Sequence, residues 1–116
     1  MTAAALIHTD NSIEVGHYTM DLRWLQKQVG GYIEAVDLQQ PDGLVMWCNE
    51  EGKLQGLPVN NIATMLFEKV FGFGVDYIAG DVVVCCSKEG DNADLSEAGF
   101  KMITEAVEEC QRRARI

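Results

Sequence analysis

Positive charge is scarce in this chain of 116 residues. Nine lysines and arginines stand against eighteen acids, giving a formal charge of −9. Three of the nine, Arg112, Arg113 and Arg115, crowd the last five residues and leave six for the rest of the chain. Such a balance disfavours a phosphate backbone, so no direct nucleic-acid binding is expected. It suits a plain acidic soluble protein, a surface that binds a basic partner, or a mimic of DNA. Long apolar runs are also missing. None approaches the roughly 20 residues needed to cross a bilayer, so no membrane association is expected. The opening MTAAALIHTD has no basic segment and only five consecutive apolar residues, which is not the pattern of an export signal. A cytoplasmic location with reduced thiols is the corresponding expectation.

Signatures of catalysis are equally sparse. Cys48, Cys85, Cys86 and Cys110 contain no C-x-x-C pair, and with His8 and His17 they form no zinc pattern. Cys85 and Cys86 are neighbours in an apolar run, point to opposite faces of a strand, and read as small buried hydrophobes. Neither G-x-x-x-x-G-K-[ST] nor G-x-G-x-x-G occurs, and Gly72-Phe73-Gly74 is too short to cradle phosphate. G-x-S-x-G and H-E-x-x-H are absent as well. No catalytic residue, metal ligand or cofactor is therefore assigned, and an enzyme is the weaker class.

What the chain does contain is a regular alternation of apolar segments and turns. Its length and its 47% apolar content suit one domain, residues 1–116, with a real core. Ala3 to Thr9 and Ser12 to Tyr18, joined at Asp10-Asn11-Ser12, predict an antiparallel hairpin, with His8 and His17 within reach across it. Thr19 is the expected cap of a short helix carrying Leu22, Leu25 and Val29 on one face, closed by Gly30-Gly31. Tyr32 to Leu38 and Leu44 to Asn49 form a second pair of strands around Pro41-Asp42-Gly43. Lys53 to Pro58 is expected to be extended, because the residue before proline avoids helix. Asn60 or Asn61 caps a second helix with Ile62, Leu66 and Val70 in a stripe. Ile78 to Cys86 is the strongest strand and is apolar on both parities, which requires cover on both faces. Ser87 to Asp94 reads as a charged, mobile loop. Asp94 and Glu97 make a capping-box-like start to the last and longest helix, whose stripe is Phe100, Ile103, Val107, Cys110 and Ala114. The final arginines complement its dipole. The fold class is α+β, with an antiparallel sheet of about five strands and three helices.

Four blocks have a familiar order: Val29-Gly30-Gly31-Tyr32-Ile33-Glu34, Asn49-Glu50-Glu51-Gly52-Lys53, Leu57-Pro58-Val59-Asn60-Asn61-Ile62-Ala63-Thr64 and Ile78-Ala79-Gly80-Asp81-Val82-Val83-Val84. Together, across about residues 3 to 86, they resemble an uncharacterised domain family of actinobacterial phages, other phages and mobile elements. The last helix lies outside the resemblance. It implies a protein acting in a host cytoplasm and supplies no catalytic residues.

Glu34, Asn49, Glu50, Lys53, Asn60 and Asp81 occupy these blocks and are the candidate ligand-binding residues. Carboxylates beside lysine and asparagine can hold a small ligand. Lys53 would then meet a phosphate, and Asn49 and Asn60 would read polar edges of a nucleotide or metabolite. Each residue also has a structural explanation: Asn60 as a helix cap, Asn49 to Lys53 as a turn, Gly80-Asp81 as a bend. The other function class, favoured by charge and the missing motifs, is a non-enzymatic protein that engages a host protein and interferes with a host factor or defence system. For assembly, either the three helices cover both faces of the sheet or a two-fold homodimer does.

Overall fold

The computed structural model describes residues 1–114. Six strands and three helices follow in the order β1 (Thr2–Ile7), β2 (Ile13–Tyr18), α1 (Leu22–Val29), β3 (Ile33–Asp37), β4 (Leu44–Asn49), α2 (Asn61–Phe71), β5 (Val82–Lys88), β6 (Asp91–Ala93) and α3 (Glu97–Ala114). All strand pairs are antiparallel, and the sheet order is β2-β1-β5-β4-β3. The α+β class, the antiparallel sheet and the long final helix agree with the sequence reading.

β5 is the centre of the sheet. One edge pairs with β4, from Leu44↔Cys86 to Trp47↔Val83. The other edge is shared: β1 takes Val82–Val84 and β6 takes Cys86–Lys88. The Ser87 to Asp94 segment is therefore a hairpin rather than a loose loop. Its far end is tied to β1, since Ala3 donates to the Asp94 carboxylate at 2.8 Å and the Leu95 amide donates to the Ala3 carbonyl at 2.8 Å. Asp94 thus anchors a strand, and the Ser96 hydroxyl does the capping, accepting from the Gly99 amide at 3.0 Å. The α3 face that is buried centres on Gly99, Ile103 and Ala106. Phe100, expected in the stripe, is 45% exposed, because the stripe is turned one residue around the helix. Arg115 lies outside the described residues.

Alternation along the strands builds two cores. Ala5, Ile7, Leu44, Met46, Val82, Val84 and Cys86 face α2 and α3. Ala4, Leu6, Val45, Val83 and Cys85 face α1. This second face is sealed within one chain: Val83 and Cys85 have no exposed surface. Leu25 packs over them, and Trp24 stacks on Tyr18 with centroids 5.0 Å apart. Trp47 adds its ring and donates to Asn92 at 3.0 Å. The uncovered face that motivated a dimer is therefore filled by α1 and four aromatic or sulfur side chains around it.

Caps and turns differ from expectation in instructive ways. Asp21, not Thr19, caps α1, accepting from the Trp24 amide at 2.8 Å, and Gly30 ends it at φ 79°. Residues 50–56 form successive turns, not an extended strand, with Gln55 donating to the Glu51 carbonyl and Leu57 to the Gly52 carbonyl. Proline constrains only the residue before it, so Lys53 to Gly56 remained free to coil. Gly52 is obligatory there: a Cβ would lie 2.8 Å from the Ala79 carbonyl oxygen. Ile78 to Gly80 does not join the sheet. It pairs with Pro58 to Asn60 instead, through Asn60 to Ile78 and Gly80 to Pro58 hydrogen bonds of 2.8 Å each.

Candidate functional site

Four of the six polar candidates come together. Glu34 on β3, Asn49 at the end of β4, and Glu50 and Lys53 in the following turn line one open cleft of about 630 Å³. The sheet supplies Val36 and Cys48 to its floor, α2 supplies Phe67, and the segment before β5 supplies Ile78. Leu54, Asp76 and Tyr77 complete the rim. A hollow of about 720 Å³ lies beside the β3–β4 turn, but Asp42 and Lys69 are its only charged lining residues.

The four residues do not share one role. Asn49 is buried and fully occupied: its amide donates to Val29 and Gln55 at 3.2 Å each, and its oxygen accepts from Glu51 at 2.8 Å. It holds α1 to the turn rather than reading a ligand. Lys53 pairs with Asp76 and lies 4.5 Å from the centroid of the Tyr77 ring. That hydrogen bond holds the Asp76 carboxyl below the usual carboxylate range. Lys53 thereby braces the rim. Glu34 and Glu50 are exposed, and neither has an ion-pair partner among the described residues. Burial, helped by the nearby Glu34 charge, pushes the Cys48 thiol up to about 12, so it stays protonated and is no nucleophile.

Sequence reasoning missed the loop that borders the cleft. After α2, Phe71-Gly72-Phe73-Gly74-Val75-Asp76-Tyr77 carries large apolar side chains outward. Phe73 is 77% exposed, Val75 64%, and Leu54 on the facing turn 88%. Phe71 is joined to the cleft floor through Phe67, ring centroids 4.7 Å apart. The loop is held in shape. The Glu68 carboxylate accepts from the Gly74 amide at 3.1 Å, the Thr64 hydroxyl accepts from Ile78 at 3.0 Å, and the Arg113 guanidinium sits 5.5 Å from the Phe73 ring. The available signal was a set of large apolar residues punctuated by glycine, with neither helical nor strand period.

Asn60 and Asp81 stand apart from the cleft. Asn60 has no exposed surface; its amide donates to Ile7 at 2.9 Å and Gly80 at 3.0 Å, while its oxygen caps α2 at Ala63. Asp81 accepts from the Thr9 amide at 3.0 Å and from His8 Nδ1 at 2.9 Å. The other ring nitrogen of His8 donates to Glu14 at 2.7 Å. His8 and His17 do not meet: His17 pairs with Ala3, five residues along the strand, or about 17 Å away at strand rise. Among the described residues, no three His, Cys, Asp or Glu side chains gather to hold a metal ion. No helix there is long and apolar enough to cross a membrane.

The His8 clamp has a measurable pH signature. The hydrogen bond to Asp81 raises the His8 pKa above its ordinary 6.5, against desolvation, with Glu14 adding to the rise. A raised folded pKa means the clamp stabilises fully below about pH 6.5 and weakens as pH climbs through the folded value. With Glu14 and Asp81 partly in solvent, the contribution is about 1 kcal/mol or less. His8→Gln should lower the urea midpoint at about pH 6 and lower it distinctly less at about pH 9. An equal loss at both values would mean that His8 acts without its charge.

The family model described as Domain of unknown function (DUF3846) matches residues 1–108, reaching well into α3. No curated protein and no solved structure matches the chain.

Proposed function

The chain belongs to the family of the domain of unknown function DUF3846, and on that premise we propose that it is a non-enzymatic binding protein that engages a host protein. The observation that carries this is the Phe71–Tyr77 loop. Monomeric proteins seldom expose clustered large apolar side chains unless a partner or ligand covers them. Here they are exposed on a braced loop, so little ordering entropy is lost on docking. The charge of −9 favours a basic partner and speeds its encounter. Support for a host cytoplasm as the setting comes from the four sequence blocks that resemble phage and mobile-element domains. Interference with a host factor or a defence system is the role such a protein would have there. Against catalysis stand the protonated Cys48 thiol and the tethering of both His8 nitrogens.

The test uses the tagged protein in host lysate. The native chain should retain a partner at low salt and release much of it at high salt. A Phe73→Ser, Val75→Ser double variant changes only exposed side chains, so each substitution should alter stability by about 0.5 kcal/mol or less. It should nevertheless lose the partner. Leu22→Ser on α1, across the sheet and also exposed, should retain it. Retention by the loop variant equal to the native chain would overturn the reading, as would an empty column at low salt.

A further inference from the structure

We propose that the cleft beside the loop receives one lysine or arginine side chain of the docked partner, a cationic head on an apolar stem. The assignment rests on the reading that this face docks a polypeptide, and it adds what the cleft recognises.

The charge on the cleft wall is unbalanced. Glu34, Glu50 and Asp76 face it with a single cation, Lys53. Lys53 is already committed to Asp76 and to the face of Tyr77. Glu34 and Glu50 are thus left uncompensated, one on each side of the β3–β4 end of the cleft, with no ion-pair partner among the described residues. Between them and the opposite wall lies apolar surface from Val36, Phe67 and Ile78. An anionic ligand is disfavoured, because every free charge in the cleft is negative and Lys53 is neutralised. A purely apolar ligand would leave both carboxylates partly desolvated and unpaired. A long side chain with a polar head satisfies both walls at once: methylenes against the floor, the head on the carboxylates. Charge-assisted hydrogen bonds to a carboxylate are the stronger kind, and guanidinium or ammonium supplies them. Leu54 and Tyr77 at the rim flank the entry, continuous with the exposed apolar loop.

The experiment is an amide-resonance titration of the full chain with blocked lysine, Nα-acetyl-lysine methylamide, and with the matching arginine compound. The comparison probe is Nα-acetyl-norleucine methylamide, which keeps the stem and lacks the charge. Saturable shifts are expected at Val36, Gly52, Tyr77 and Ala79. The norleucine probe should bind about tenfold more weakly or worse, the loss expected for charge-assisted bonds. Glu34→Gln with Glu50→Gln should weaken the lysine probe by a similar factor and leave norleucine unchanged. Equal binding of norleucine, an unaltered lysine affinity in the double variant, or shifts scattered over the acidic surface would each overturn the assignment. Those results leave the loop reading standing, because partner retention by the Phe73→Ser, Val75→Ser pair decides it without touching either carboxylate. The resonance spectrum itself shows that the double variant is folded.

Discussion

Replacing Asn60 with alanine should cost about 3–5 kcal/mol, a large share of the roughly 5–15 kcal/mol that holds a domain folded. The side chain is wholly buried and joins three elements. Its oxygen caps α2 at the Ala63 amide, and loss of a cap costs about 1 kcal/mol. Its amide donates to the Ile7 carbonyl at the end of β1 and to the Gly80 carbonyl before β5. Alanine would leave both carbonyls buried without that donor, at about 1–3 kcal/mol each. Asn60→Asp is the informative companion. It keeps the cap acceptor and loses both donors, placing a carboxylate against two carbonyl oxygens. It should therefore be no better than alanine. Denaturant midpoints of the three proteins give the answer. If aspartate restored native stability, the cap alone would account for Asn60, and the links to Ile7 and Gly80 would be immaterial.

The second large effect is expected at Leu66. It lies at the middle of α2 with no exposed surface, packed in the larger core against the sheet. Leu66→Ala removes about three methylene-sized groups and leaves a cavity between helix and sheet, costing about 2–5 kcal/mol. The value should fall toward the upper half, because the antiparallel strands beneath it are paired on both sides and cannot collapse into the space. Leu54→Ala, the same substitution at a residue 88% exposed, should change stability by about 0.5 kcal/mol or less. The pair thus separates leucine that holds the fold from leucine presented to a partner. A loss below about 1 kcal/mol at Leu66 would mean that α2 packs more loosely than these burial values describe.

Much of the fold could be read because local signals and tertiary packing agreed. The Asp10-Asn11-Ser12 and Pro41-Asp42-Gly43 turns each sat between apolar runs, and both gave antiparallel pairs. The unbroken Val82 to Cys86 run sat at the centre of the sheet, buried on both faces, as its pattern required. Where a residue was short and polar, its role was ambiguous. Thr19, Asp21, Asp94 and Ser96 are all suitable caps, and only the helix's actual start selects among them. β6 was invisible for a different reason. Asp91–Ala93 has no apolar period, and it is a strand only because β1 ends at Thr2 and leaves the rest of β5's edge open.

The candidate site was legible in part for the same reason. Glu34, Asn49, Glu50 and Lys53 were near one another because β3 and β4 are neighbours and the turn follows directly. Their separate roles depended on long-range partners: Val29 for Asn49, Asp76 for Lys53. Those partners lie 20 and 23 residues away in sequence. Asp81 and Asn60 belonged to the same sequence blocks, yet each is spent on holding the end of β1 in place. The exposed apolar loop left no periodic trace, since a docking surface is defined by what fails to be buried.

The central claim is that the Phe71–Tyr77 face is where a second polypeptide sits. The most direct measurement places a photo-crosslinking aromatic residue at Phe73, and in a separate variant at Leu22 across the sheet, in cells of the host. Irradiation should give a discrete adduct with a second polypeptide from Phe73 and none from Leu22. Adducts of equal yield from both positions, or none from Phe73, would contradict it.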